Sequence, residues 1–180
     1  MTIRERDVAA LTIQETAVAP ITDVDLSDAV QSDACVLFTG DHETAEALAR
    51  RLHALSGWRH GPFVAVDCAL PDAEPRLLQV LDVEKPDAPN GTSWPTLAQA
   101  GTVFLREVGQ LGPAQQIRLS DRLAALRTKP GSGRRRIRRR VISSSSIHLE
   151  SRVENGTFDA RLFYRLNVIH MVIQPPPSLA

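Results

Sequence analysis

The sequence predicts an α/β fold, a parallel sheet covered by helices on both faces. Three observations predict it. Short apolar runs of strand length alternate with stretches whose apolar residues recur at helical spacing. Gly-Pro and Pro-Gly pairs punctuate that alternation at the places where a chain must turn. Finally, 180 residues with 43% hydrophobic and 23% charged content suffice for one domain with a substantial core.

The elements follow in order. Residues 1–33 lack a clear period, although Asp23–Gln31 fits a short helix. Cys35–Thr39 reads as a buried strand. Thr44–Ser56 sets Leu48, Leu52 and Leu55 on one helical face, with Glu46, Arg50 and Arg51 on the other. Phe63–Val66 is a second strand, set off by Gly61-Pro62, and a short helix is expected over Pro75–Leu81. Thr102–Leu105 is a third strand, and Pro113–Leu126 a helix carrying Ile117, Leu119, Leu123 and Leu126. After Lys129-Pro130-Gly131-Ser132-Gly133 comes a fourth strand, Arg138–Ser144. Phe158–Leu166 reads as helix and Val168–Ile173 as a fifth strand, stopped by Pro175-Pro176-Pro177. No internal repeat is visible.

Composition excludes several classes. No apolar stretch approaches the roughly 20 residues that span a bilayer. The opening MTIRERDVAALTIQET is too polar and acidic for a signal or transit peptide. Cys35 and Cys68 lack metal-ligand spacing, as do the five histidines, and fit a reducing cytosol. A cytoplasmic protein with no metal site and no membrane partner is expected. The net charge of zero hides a segregation. Glu5, Asp7, Glu15, Asp23, Asp25, Asp28 and Asp33 face only Arg4 and Arg6 in the first 33 residues. Arg118, Arg122, Arg127, Lys129 and the six arginines of GRRRIRRR face only Asp121. Such asymmetry bears on partners even when the total cancels.

Four blocks carry a family resemblance: VLFTG…ALARRLHALSGWRHGPFVAVDCAL, AQAGTVFLREVGQLGPAQQIRLSDRLA, RRVISSSSIHL and NGTFDARLFYRLNVIHMVIQPP. Together they resemble the central AAA+ domain of sigma-54-dependent transcription activators, the bacterial enhancer-binding proteins, over roughly residues 34–177. The strings GPFVAVDCA and FYRLNV are the most specific parts. The resemblance implies a three-layer αβα sandwich whose five parallel strands run in the order 5-1-4-3-2. It also implies a division into an acidic, partly ordered N-terminal segment (1–33), the α/β domain (34–177) and a tail (178–180).

The resemblance further implies which residues should carry nucleotide chemistry, and most of them differ here. The family's phosphate loop is similar to GESGTGKE. This chain has Gly40-Asp41-His42-Glu43-Thr44-Ala45-Glu46, one residue short, with Ala45 or Glu46 where the lysine belongs. Glycines let backbone N–H groups close around phosphates, and the lysine balances their charge. Losing even two charge-assisted contacts costs roughly 3–6 kcal/mol, on the order of 10²- to 10⁴-fold in affinity. The family's LFLDE motif, in which the aspartate holds magnesium and the glutamate helps activate water, reads Phe104-Leu105-Arg106-Glu107. An arginine does not ligate Mg²⁺. Asp67 replaces the asparagine that ends the second strand, so Asp67 and Glu107 would be neighbouring carboxylates that Arg106 neutralises. Ser146 replaces the asparagine that reads the γ-phosphate. Of the arginine-finger segment, Asp159 stands at the first arginine, Arg161 at the aspartate, and Arg165 alone matches; it could act in trans or pair locally. Neither the GAFTGA loop that touches sigma-54 nor a helical lid or DNA-reading helix-turn-helix is found in the 180 residues.

The feature gained is the run Arg134, Arg135, Arg136, Arg138, Arg139 and Arg140. It suits three roles: neutralising nucleic-acid phosphates, docking an acidic protein through guanidinium forks, or a solvated loop that guards a sheet edge. Little aromatic interleaving accompanies it. The expectation is a non-catalytic AAA+-like regulatory or interaction module without a cofactor, whose partner is an acidic protein or an AAA+ relative and whose oligomeric state the sequence leaves open. The remnants Glu107 and Arg165, and Gly40, Asp41, Thr44, Ala45 and Glu46 of the loop, would then be non-functional. A residual ATP-binding transcription regulator and a nucleic-acid binder acting through Arg134–Arg140 are the alternatives.

Overall fold

The computed structural model describes residues 23–81, 101–127 and 139–173. Its strands are β1 (Val36–Thr39), β2 (Phe63–Asp67), β3 (Gly101–Arg106), β4 (Arg139–Ser145) and β5 (Ile169–Val172). Its helices are α1 (Asp23–Gln31), α2 (His42–Leu55), α3 (Ala73–Leu81), α4 (Pro113–Arg127), α5 (Leu149–Glu154) and α6 (Ala160–Leu166), with a 3₁₀ turn at Val108–Gln110. The strands pair in parallel in the order β2-β3-β4-β1-β5. Read from the other edge, that is the expected 5-1-4-3-2.

Successive side chains leave a strand on opposite faces, and this divides the apolar residues between two cores. Leu37, Val103, Leu105 and Val141 face one side, against Leu77 and Leu81 of α3, Leu119 and Leu123 of α4, Leu149 of α5 and Leu162 of α6. Val36, Phe38, Phe104, Ile142 and Met171 face the other, against Leu26, Ala29 and Val30 of α1 and Ala45, Leu48 and Leu52 of α2. Helices on both faces of a parallel sheet make three layers. The folded body therefore takes in α1, which belongs to the acidic segment upstream of residue 34.

Most boundaries differ from expectation by a residue or two, and two helix starts have a local cause. α2 starts at His42 because Asp41 caps it. α6 starts at Ala160, not Phe158, because the Asp159 carboxylate accepts the Leu162 N–H at 2.8 Å and caps the helix there. Phe158 is buried in the first core instead. The short α5 was not expected; Leu149 is its one buried residue, too little for a periodic signal.

The arginine run needs one clear correction. Arg140 cannot belong to an interaction patch, because its side chain is fully buried. Its guanidinium donates to the carbonyl oxygens of Ala29, in the last turn of α1, and of Leu52, in the last turn of α2, the latter at 3.5 Å. Two helix C-termini thus aim their partial negative charge at one cation. Burial nevertheless pulls the Arg140 pKa down to about 10, with Asp33 and Cys35 opposing that shift. Arg139 is half-buried and donates to the Val80 carbonyl at 2.7 Å. Arg134, Arg135, Arg136 and Arg138 lie outside the described residues, as does the segment 82–100 that replaces the GAFTGA loop.

Truncating Arg140 should therefore act on stability. Arg140→Ala takes the guanidinium donor away from the Ala29 and Leu52 carbonyls, of which Leu52 keeps the Ser56 N–H, and leaves a void between α1, α2 and β4. Urea unfolding is expected to show a loss of about 2–4 kcal/mol. Arg140→Met, which fills the space without a charge to desolvate, should cost clearly less.

Candidate functional site

Parallel strands end at the same edge of the sheet, and in open α/β sheets ligands bind in the crevice outside those carboxyl ends. There the structure gathers the ends of β1, β2, β3 and β4 with the start of α2. Gly40, Asp41, Thr44, Glu46, Asp67, Arg106, Glu107 and Ser146 meet at this edge, whereas Arg139 and Arg140 lie at the opposite one, where β4 starts. Asp159, Arg161 and Arg165 belong instead to α6 and its cap.

The loop after β1 is short and closed. Gly40 has φ +134°, and a Cβ there would run into the Ile173 carbonyl oxygen. Its N–H donates to the Ser145 carbonyl at 3.0 Å. Glycine is thus required by the approach of the chain beyond β5, with or without a phosphate. Asp41 then uses its own carboxylate on the helix N-terminus, accepting the Thr44 N–H at 2.8 Å. That bond, ahead of a second one to the Thr44 side chain, holds the Asp41 carboxyl below the usual carboxylate range. Free N–H groups at a helix start are what would receive an external anion; here the chain supplies one.

The structure also separates the two candidates for the lysine position. Ala45 is fully buried in the core under α2, whereas Glu46 points across the crevice. One Glu46 oxygen accepts Arg50 Nη2 at 2.7 Å and Nε at 3.1 Å, and the other accepts Arg106. Arg106 also reaches Asp67, its register partner across β2 and β3, at 3.7 Å. Burial opposes ionisation of Glu46, yet the Arg106 and Arg50 hydrogen bonds outweigh it and lower its pKa. The hydrogen bond to Glu46 comes first among the causes that raise the Arg106 pKa. Side-chain exposures of 17% for Glu46 and 33% for Arg106 put the pair between a surface and a buried ion pair. Its removal is accordingly worth about 1–2 kcal/mol.

Glu107 turns the other way. It adopts a left-handed backbone, φ 55° and ψ 48°, at the exit of β3. Its carboxylate accepts the Ser146 N–H at 3.1 Å and the Ser146 hydroxyl at 2.8 Å. The strained backbone and the bonds to Ser146 fix each other. Arg106 therefore pairs directly with Glu46 and Asp67, while Glu107 is spent on the end of β4. The Glu46–Arg106 pair was not expected. The signal was there: the lysine and aspartate positions implied by the resemblance carry acid and base with their signs exchanged.

Arg165 is half-buried, and its Nε donates to the Ser120 hydroxyl on α4 at 3.3 Å. Asp159, besides capping α6, donates its own N–H to Gln116 at 2.7 Å and lies 3.5 Å from Arg161. Among the described residues no group of three or more His, Cys, Asp or Glu is arranged to hold a metal ion.

Comparison with known proteins places this geometry. The family described as "Sigma-54 interaction domain" matches residues 13–172. The chain belongs to that family. The chain is 34% identical to the sigma54-dependent transcriptional activator SfnR of Pseudomonas putida over 158 residues, 83% of this chain and 43% of that protein. It is 33% identical to the regulatory protein AtoC of Escherichia coli K12 over 154 residues, 80% of this chain and 33% of that protein. It thus spans less than half the length of these relatives. Two solved structures are similar in fold. NtrX from Brucella abortus in complex with ATP gives a TM-score of 0.64 at 24% identity, over 94% of this chain and 41% of that one. The P-loop NTPase domain of an E. coli sigma-54 transport activator gives 0.59 at 22% identity, over 84% and 91%.

The cap provides a test with a pH signature. Asp41→Ala should cost about 1 kcal/mol at neutral pH. Because the folded-state pKa of Asp41 is depressed, its contribution is complete above the unfolded value near pH 4. It is lost as pH falls through the lower folded value. Denaturation curves of wild type and variant should therefore converge in acid.

Proposed function

We propose that this sigma-54 interaction domain has kept its fold and given up nucleotide hydrolysis, and that it works as a regulatory or protein-interaction module in transcription control. One observation carries the reading: the chain's own charges fill the crevice. Glu46 stands at the lysine position and is bound by Arg50 and Arg106. Arg106 stands at the magnesium-binding position, and Asp41 takes the helix N-terminus. A triphosphate would have to displace these contacts and then face Asp41, Glu43, Glu46 and Asp67 with no ammonium group among the described residues to balance it. On this reading Gly40, Glu107 and Arg165 persist because each holds the fold, at Ile173, Ser146 and Ser120.

The partner proposed is an AAA+ relative, met through the α6 surface, where Arg161 and Tyr164 are exposed and Arg165 is retained. Docking of an acidic protein or of nucleic acid on the arginine run is less favoured, because Arg140 is withdrawn into the core and Arg139 is half-buried. Among the described residues no helix is long and apolar enough to cross a membrane, and the proposed setting is the cytoplasm. A residual ATP-binding regulator is the second reading, favoured by the 34% identity to a transcriptional activator.

Calorimetry decides between the two. With ATP and Mg²⁺ the expected result is no saturable binding tighter than about 100 μM, or roughly −5.5 kcal/mol; tighter binding returns the domain to the second reading. Titrating the chain into an active relative should change that relative's assembly or ATPase rate. Unchanged assembly and rate would count against the AAA+ partner.

A further inference from the structure

The charged contacts of the crevice form one continuous chain along the edge strand. It begins at Phe63, the first residue of β2, whose ring carries the Arg50 guanidinium 4.6 Å from its centroid. Arg50 donates to Glu46, Glu46 accepts from Arg106, and Arg106 reaches Asp67, the last residue of β2. Both ends of β2 are thus gripped by one run of charges rooted in α2. That grip matters because, among the described residues, β2 is an outer strand hydrogen-bonded to β3 alone. It presents Ala65 to solvent and buries only Val64 and Val66. The start of α2 is thinly held too: His42 and Glu43 are exposed, and Ala45 is the first residue to enter the core.

We propose that Phe63, Arg50, Glu46, Arg106 and Asp67 form a built-in tie that takes the place of a bound ligand, fastening α2 to both ends of β2 and to the end of β3. This rests on reading the crevice as emptied of nucleotide chemistry, and adds what secures the crevice in a ligand's absence. Arg106 is the centre of the tie. It is the one member that touches two carboxylates on different elements, Glu46 on α2 and Asp67 on β2. The domain is held in a single closed arrangement whether or not nucleotide is supplied.

Hydrogen exchange resolved by peptide tests the tie, with Glu46→Gln, Arg106→Gln and the double variant compared to wild type. Either single change should speed exchange roughly tenfold over residues 42–50 and 63–67, while β1 and β4 keep their protection. The double variant should fall short of the sum of the two singles, since both remove the shared Glu46–Arg106 contact. Unchanged exchange, additive effects, or acceleration spread evenly into β1 and β4 would each overturn the proposal. Calorimetry on the wild type judges the functional reading separately. A protein that ignores ATP yet shows unaltered exchange on losing Arg106 refutes the tie alone.

Discussion

A parallel sheet has two unlike edges, and this polarity governs where charge sits in the molecule. All five strands end on one side, where α2 begins; all start on the other, where α2 ends. Helix N-termini favour negative groups and C-termini positive ones. The acids Asp41 and Glu46 belong to the edge where α2 starts, and Arg140 lies at the edge where α1 and α2 finish. The same fold field that would hold an external anion is met here by side chains of the chain itself.

The two charged centres solve different problems. Among the described residues no carboxylate is bonded to Arg140, only helix carbonyls, and its Nε has no hydrogen-bond partner, so burial wins and its pKa falls. Glu46 and Arg106 are each partly exposed and directly paired, so pairing wins and both hold their charge more firmly. Neighbouring groups follow the same competition. Burial, and then the nearby Arg140, lowers the His53 pKa, and the His53 ring shares a hydrogen bond with Thr102 at 2.9 Å. Buried Cys68 is pushed up to about 12, mainly by desolvation and then by Asp67 and Glu107, which makes it an inert core thiol.

Motif remnants are weak evidence of retained chemistry when the same residues also build the fold. Gly40 must be glycine because Ile173 passes over it, and Glu107 has a backbone geometry that Ser146 fixes. Arg165 rests on Ser120. Selection on stability alone would preserve each of them. Glu46 and Arg106 carry the opposite signs to the lysine and aspartate that the resemblance implies, and the two are bonded to each other.

The fold was legible in the sequence because a buried parallel strand and its covering helix leave local signatures: apolar runs, helical spacing, and glycine or proline between them. The acids in residues 40–46 and the absence of a lysine there could likewise be read directly. What the one-dimensional pattern lacked was depth and pairing. Arg140 reads as one more arginine in GRRRIRRR, and only the convergence of α1 and α2 takes it into the core. Glu46 and Arg106 stand 60 residues apart, and nothing local links them. The layers and the lack of a lysine in residues 40–46 follow from the amino-acid order alone, because they depend on residue type and spacing. Which charges meet had to wait for the folded chain, because strand order at the sheet edge sets those distances.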